Sequence, residues 1–354
     1  MAIARTGRLA IGGIGVCAAT MLAACGGALT APGTGSPAQT GAVSQARQDT
    51  GGGCPLKRCI IVTSETGYHN KPLAAVFFFA RGVNGNVSPA GAITGSKTML
   101  GIIPAGLAMD SHGNLYVANS SSNAITVYAA GAEGNVAPIR TIIGPETRLK
   151  TPAGIAIDSQ DKLYVANQTN YGSHITIYAS NANGNAAPIR TIRGRNTGLN
   201  FPWGLALDSQ SNLYVANETY SGSVTVYAPD AHGNATPLRT ITGSATQLRE
   251  PAGLAVDASG YLYVNDTDGY NTIAIFAPDA NGNVAPLSYF TSGYSAFNIA
   301  LDGHDKMYVT NVGYDDPPFI QIFAAGTIGN KGRLLRQIGG QRTKFIWPTG
   351  ILVR

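Results

Sequence analysis

From Pro104 onward the chain alternates apolar and polar positions in short bursts. The clearest example is PWGLALDSQSNLYVANETYSGSVTVYAPDAHGNATPLRTITG, which begins at Pro202. It contains four strand-length segments: GLALD, LYVAN, SVTVYA and TPLRTITG. Val, Ile, Thr and Tyr fill them, while Gly, Asn, Asp and Ser occupy the stretches between, as expected for strands joined by turns. The phrase also starts at Pro104, Pro152 and Pro251, more weakly at Ala296, and is cut short after Pro348. Its period is therefore 45–52 residues. A four-strand unit of this length, repeated, predicts the blades of a β-propeller.

The ends of the repeat array fit one another. PTGILVR at the C-terminus is an opening strand without its followers. The stretch from Cys59, CIIVTSETGYHNKPLAAVFFFARGVNGNVSPAGAITG, reads as the second to fourth strands without a first. The two halves predict an all-β, six-bladed propeller, closed by the C-terminal strand pairing beside Cys59–Thr63 in the N-terminal blade. Such closure removes an open sheet edge.

The pattern P-x-G-[LI]-A-x-D, then L-Y-V-A-N, then I-x-V-[YF], resembles the NHL repeat of six-bladed propellers, from Cys59 to the C-terminus. It also resembles the wider gluconolactonase-like propeller group. The resemblance implies the fold. It leaves the activity open, because that group contains lactonases, lyases and binding proteins alike. Its lactonases hold a divalent metal in the central channel, partly through an Asn or Asp just before the opening glycine of an inner strand. Here those positions are Ala105, Ala153, Trp203, Ala252, Phe297 and Thr349, none of them a good ligand for a hard cation.

Strand alternation divides the loops between two faces. The first face receives the turns between strands one and two and between strands three and four, which hardly vary. Asp110, Asp158, Asp208, Asp257 and Asp302 recur there and are expected to cap turns. The second face receives the loops after LYVAN and the connections between blades, and these diverge. They carry Tyr68, Tyr171, Tyr220, Tyr270 and Tyr314, with Trp203 and Trp347 in the connections. Aromatic rings on divergent loops of a rigid scaffold point to a binding surface. Asn119, Asn167, Asn217 and Asn311 end the second strands on the same side. They are candidates for ligand contact, with bonding to neighbouring backbone as the plainer reading.

Asp266, Asp268, Asp315 and Asp316 come from neighbouring blades and form a weak candidate calcium site. No other cofactor is expected. The histidines are dispersed over five blades, and there is no G-x-S-x-G elbow.

Residues 1–24 read as a bacterial lipoprotein signal peptide. Arg5 and Arg8 precede an apolar run that ends in Leu22-Ala23-Ala24-Cys25. Cys25 would carry the lipid. Residues 25–53 would be a disordered tether of Gly, Ser, Thr, Ala, Pro and Gln, spanning on the order of 30 Å. Residues 54–354 form the propeller. Cys54 and Cys59 are expected to form a disulfide in an oxidising envelope. Removing Arg5 and Arg8 lowers the formal charge from +5 to +3, which calls for no polyanion.

Together these readings predict a monomeric, lipid-anchored protein of the bacterial cell envelope, with the outer membrane as its expected address. Its divergent face would bind a glycan, a peptide or an envelope protein, with membrane contact through the lipid alone and no nucleic acid. The alternative is an atypical metal-dependent lyase or lactone hydrolase.

Overall fold

A computed structural model describes residues 59–65, 74–169, 172–267, 272–292, 295–312, 317–326 and 332–354. The strands among them form six four-stranded antiparallel sheets. Blade 2 illustrates the unit. Its strands are Pro104–Met109, Leu115–Asn119, Ala124–Tyr128 and Arg140–Ile142, ordered from the central channel outwards. Blades 3 to 6 repeat this order, with inner strands Pro152–Ile157, Pro202–Leu207, Pro251–Val256 and Ser295–Leu301.

Blade 1 is assembled from both ends of the repeat array. Trp347–Val353 is its inner strand and lies against Cys59–Glu65, with Ile60 opposite Val353 and Val62 opposite Ile351. Cys59 and Arg354 exchange both backbone hydrogen bonds at 3.0 Å. The strand pairing expected from the split phrase is the one observed.

Period-two alternation places successive side chains in different cores. In blade 2, Val117 packs with Ile61, Val76 and Ile93 of blade 1. Its neighbours Tyr116 and Ala118 pack with Ile155, Leu163 and Val165 of blade 3. Six such layers, one per seam, make up the core. The apolar residues therefore hold blades to one another, and a lone blade would leave both its faces wet.

The aspartates that close the inner strands cap turns as expected. Asp158 Oδ1 accepts the backbone N–H groups of Gln160 and Lys162, both at 2.9 Å. Its other oxygen receives the Tyr164 hydroxyl at 3.2 Å, and Arg190 Nη2 donates to that same hydroxyl. Blades 2 and 4 repeat the Asp–Tyr–Arg chain.

The segments between strands three and four differ from the short turns read in the sequence. In blades 1 to 5 this segment doubles back along the outer strand of the preceding blade. Gly134 of blade 2 forms a parallel bridge with Ile93 of blade 1, and Gly184, Gly233 and Gly282 do the same one blade further on. Gly85 bridges to Ile338 between blades 6 and 1. The Gly-Asn pair explains the detour: glycine takes the positive φ, 77° at Gly134, and the asparagine reaches the connection that precedes its own blade. Asn135 Oδ1, for instance, accepts Lys97 N–H at 2.7 Å. The stitch covers an outer strand that would otherwise be an open edge.

Candidate functional site: the divergent face

The asparagines that end the second strands are buried and bond neighbouring backbone, the plainer of the two readings of the sequence. Asn119, Asn167 and Asn311 are fully buried, and Asn217 is nearly so. Asn167 Oδ1 accepts Lys150 N–H at 2.9 Å, and its Nδ2 donates to Val165 O and Thr176 Oγ1. Asn119 and Asn217 hold Gly101 and Asn200 in the same way. Asn311 Nδ2 donates to Val309 O and Gln321 Oε1. The side chains of Asn119, Asn167 and Asn217 are thus spent on backbone and neighbouring side chains, whereas Asn311 Oδ1 is buried with no hydrogen-bond partner among the described residues.

Asp266 occupies the equivalent place in blade 5 and is also structural. Its Oδ2 accepts Arg249 N–H at 2.5 Å and its Oδ1 accepts Glu250 N–H at 2.9 Å, in a side chain 3% exposed. Both oxygens therefore hold the backbone of a connection. Asp268, Asp315 and Asp316 lie outside the described residues, as do Tyr68, Tyr171, Tyr270, Tyr314, Cys25 and Cys54. Cys59 is fully buried at the start of its strand. Phe345, in the last connection, plugs a seam against Phe77 and Phe79.

Near the channel, the opening glycines have a steric role. A methyl on Gly154 would stand 2.2 Å from the Trp203 carbonyl oxygen of the next blade, and one on Gly204 would stand 2.1 Å from that of Ala252. The contact at Gly350, against Ala105 O, is 2.1 Å. Every inner strand is bulged here, and in three blades the second strand supplies an acceptor for the bulged N–H. Asn265 Oδ1 takes Gly253 N–H, Thr310 Oγ1 takes Asn298 N–H and Thr63 Oγ1 takes Gly350 N–H. Ala118, Ala166 and Ala216 stand in their place in blades 2 to 4.

The residues just before those glycines do not fit a resident cation. Ala105, Ala153 and Ala252 offer no ligand atom. Trp203 of blade 4 meets Phe297 of blade 6 edge-on, their ring centroids 5.1 Å apart. Thr349 spends its hydroxyl on Pro104 O at 2.6 Å. Among the described residues, no group of three or more His, Cys, Asp or Glu side chains could hold a metal.

Sequence reasoning passed over the residues that follow the asparagine pins. Glu218 is a partly buried carboxyl, and burial, reinforced by the charge of Glu250, raises its pKa to about 8. Gln168 Nε2 lies 3.5 Å from its Oε2. Glu65, which pairs with Trp347 in blade 1, is raised to about 7 by burial. These carboxyls sit where strand meets loop, where a lone Glu reads as ordinary solvated polarity. No pattern in the sequence marks them.

Among the described residues, a groove of about 890 Å³ lies on this face between blades 4 and 5. Tyr220 borders it from the second loop of blade 4, and Tyr289 borders it from the outer strand of blade 5, Ser288–Thr291. Buried Leu248 and Phe290 contribute apolar surface. The remaining wall comes from the connection after Thr242, including Ser244 and Gln247. Tyr220 was legible as a ring on a divergent loop. Tyr289 was missed because it lies inside a strand.

The family described as "Lactonase, 7-bladed beta-propeller" matches residues 107–238, a stretch inside blades 2 to 4 that leaves the blade count to the structure, which is six. No curated protein matches the chain. Among solved structures, the nidogen/laminin complex matches with a TM-score of 0.59 at 17% identity, covering 83% of this chain and 97% of the other. A protein of unknown function from Bacteroides caccae matches with a TM-score of 0.58 at 12% identity, covering 83% and 98%. A proposed 6-phosphogluconolactonase from Bacteroides fragilis matches with a TM-score of 0.54 at 17% identity, covering 84% and 98%. At such identities the likeness extends to the fold. The class defined is the β-propeller, and within it this chain has six blades.

Proposed function

We propose that the protein is a binding propeller of the cell envelope that engages its partner through the divergent face. The observation that carries this reading is the groove between blades 4 and 5. It is a roomy concavity with exposed tyrosine at its border, on the face where the repeats stop resembling one another. Rigid scaffolds with variable aromatic loops concentrate recognition there. A propeller seen in the nidogen/laminin complex agrees with a role in association. The N-terminal features belong to the same proposal: an NHL-like propeller exported by residues 1–24, lipidated at Cys25, tethered by residues 25–53 and clipped by a Cys54–Cys59 disulfide. Partners would be a glycan, a peptide or an envelope protein.

The test is co-sedimentation of the full chain with isolated bacterial envelopes, in a Cys25→Ser background so that no lipid contributes. Tyr220→Ala is expected to lower the bound fraction severalfold. His232→Ala, an exposed residue in the segment between the third and fourth strands of blade 4, is expected to leave it unchanged. Equal binding by all three proteins would refute the assignment of the face.

A second reading has one observation in its favour, the match of residues 107–238 to a lactonase family. Under it, Glu218 would serve as a proton donor or acceptor, since its raised pKa lies near neutrality. Lactone turnover by the full chain that is lost in Glu218→Gln would establish it. An absence of turnover across a lactone panel would remove it.

A further inference from the structure

Resting on the assignment of the divergent face as the binding surface, we infer that the groove between blades 4 and 5 takes a linear carbohydrate chain.

The tyrosines give the first argument. Tyr116, Tyr128, Tyr178, Tyr227 and Tyr308 are all buried, with their hydroxyls bonded inside the fold. Tyr220 and Tyr289 depart from that use: they are 73% and 39% exposed, and both border the same groove. Solvated phenol rings offer flat apolar faces, which suit the C–H faces of pyranose rings.

The second argument is where the repeat breaks. The outer strands of blades 2, 3 and 4 read Arg-Thr-Ile, from Arg140, Arg190 and Arg239. Blade 5 reads Ser288-Tyr289-Phe290 at the same place. The arginine that braces the neighbouring tyrosine and carbonyls in those three blades is Ser288 here, and Tyr289 and Phe290 replace the Thr and Ile that follow it. The change falls in the wall of the groove and adds Tyr289 to it.

The third argument is the polar chemistry of the wall. Ser221, Ser244, Thr242 and Thr291 bring hydroxyls and Gln247 brings an amide. Hydroxyls and amides both donate and accept, as sugar hydroxyls do. Arg249 adds a guanidinium to the lining, while no carboxylate and no lysine is found among the described lining residues. A hydroxyl-rich ligand matches this set of donors and acceptors, with Arg249 as a further donor to sugar oxygens.

An extended peptide is disfavoured because it would need a free strand edge to pair with. The outer strand of blade 4 has its edge occupied: Thr242 N–H bonds Gly282 O at 3.1 Å, and Gly282 N–H bonds Thr240 O at 2.7 Å. The volume, about 890 Å³, lies near the upper end of the roughly 300–1,000 Å³ of ordinary ligand sites. That suits several sugar units better than one.

Calorimetric titration of the full chain with chitohexaose, cellohexaose and maltohexaose tests the inference. At least one is expected to bind. Tyr220→Ala and Tyr289→Ala should each weaken binding by roughly five- to tenfold, the scale of a lost aromatic contact. Tyr220→Phe should keep most of the affinity because the ring face survives, and His232→Ala should match the wild type. Binding that is indifferent to Tyr220→Ala would overturn the inference, and so would failure of all three sugars to bind. If the sugars fail while envelope sedimentation still depends on Tyr220, the carbohydrate assignment falls and the binding face stands. If both fail, both readings fall.

Discussion

Replacing Gly204 by alanine tests how tightly the propeller is closed at its centre. The added methyl would lie 2.1 Å from the Ala252 carbonyl oxygen and 3.1 Å from Leu254 N, both backbone atoms of blade 5. Side-chain carbons do not approach oxygen within 3.0 Å in folded proteins, so the two inner strands must separate by roughly 1 Å to make room. Overpacking of this kind costs about 1–3 kcal/mol. The upper end applies because the obstacle is backbone, held in the ladder by its own blade, and cannot rotate away. A loss of about 3 kcal/mol corresponds to a fall of about 6 °C in melting temperature for a domain of this size.

Gly303→Ala is the matched control. No heavy atom lies within 4 Å of its added methyl, and the residue has no positive φ. It should be neutral, or stabilising by about 0.4–1 kcal/mol through the unfolded chain. Urea denaturation followed by circular dichroism compares the two, with equal m-values showing that only stability has changed. If the Gly204→Ala midpoint coincides with the wild type, the inner strands have slack and the close-packed ring is refuted. Blade 6 is the natural exception: Asn298 replaces the glycine there, and its side chain folds back to accept Ile299 N–H at 2.8 Å.

Two further expectations concern the divergent face. The pKa values of Glu218 and Glu65 are raised from 4.5 to about 8 and about 7, so the folded state holds these protons more tightly than the unfolded chain. Their contribution to stability is complete below pH 4.5 and is lost as pH climbs to 8. Urea midpoints across that range should fall less steeply in Glu218→Gln, and an unchanged slope would mean that its carboxyl is already solvated. Asn167→Ala leaves Lys150 N–H and two buried partners without their amide, at a cost of about 1–3 kcal/mol. The connection at Lys150 should then exchange its amide proton faster, whereas exchange at the wild-type rate would show the pin to be dispensable.

The sequence made the architecture legible wherever chemistry recurs at a fixed interval. Five aspartates closing five strands read as turn caps, and PTGILVR as the strand completing a sheet begun near Cys59. The same repetition concealed other features. Asn119, Asn167 and Asn217 end strands on the divergent side, and their burial depends on the connection that folds over them, which lies some seventeen residues upstream. The detour of the Gly-Asn segments depends on an edge in a different blade. Glu218 owes its shifted pKa to desolvation and to Glu250, 32 positions away. Tyr220 was readable because it interrupts a polar loop. Tyr289 was not, because an aromatic residue in a strand is ordinary until the neighbouring blade is found to leave it exposed.

Cys59 and Arg354 leave the propeller side by side, at the end of blade 1 that corresponds to the uniform Asp-capped turns. The groove opens at the opposite rim. Coupling the protein to a bead or sensor chip through Arg354 would therefore present Tyr220 and Tyr289 outward, unobstructed by the attachment chemistry. Immobilisation through lysines of the blade connections would bury the surface under test.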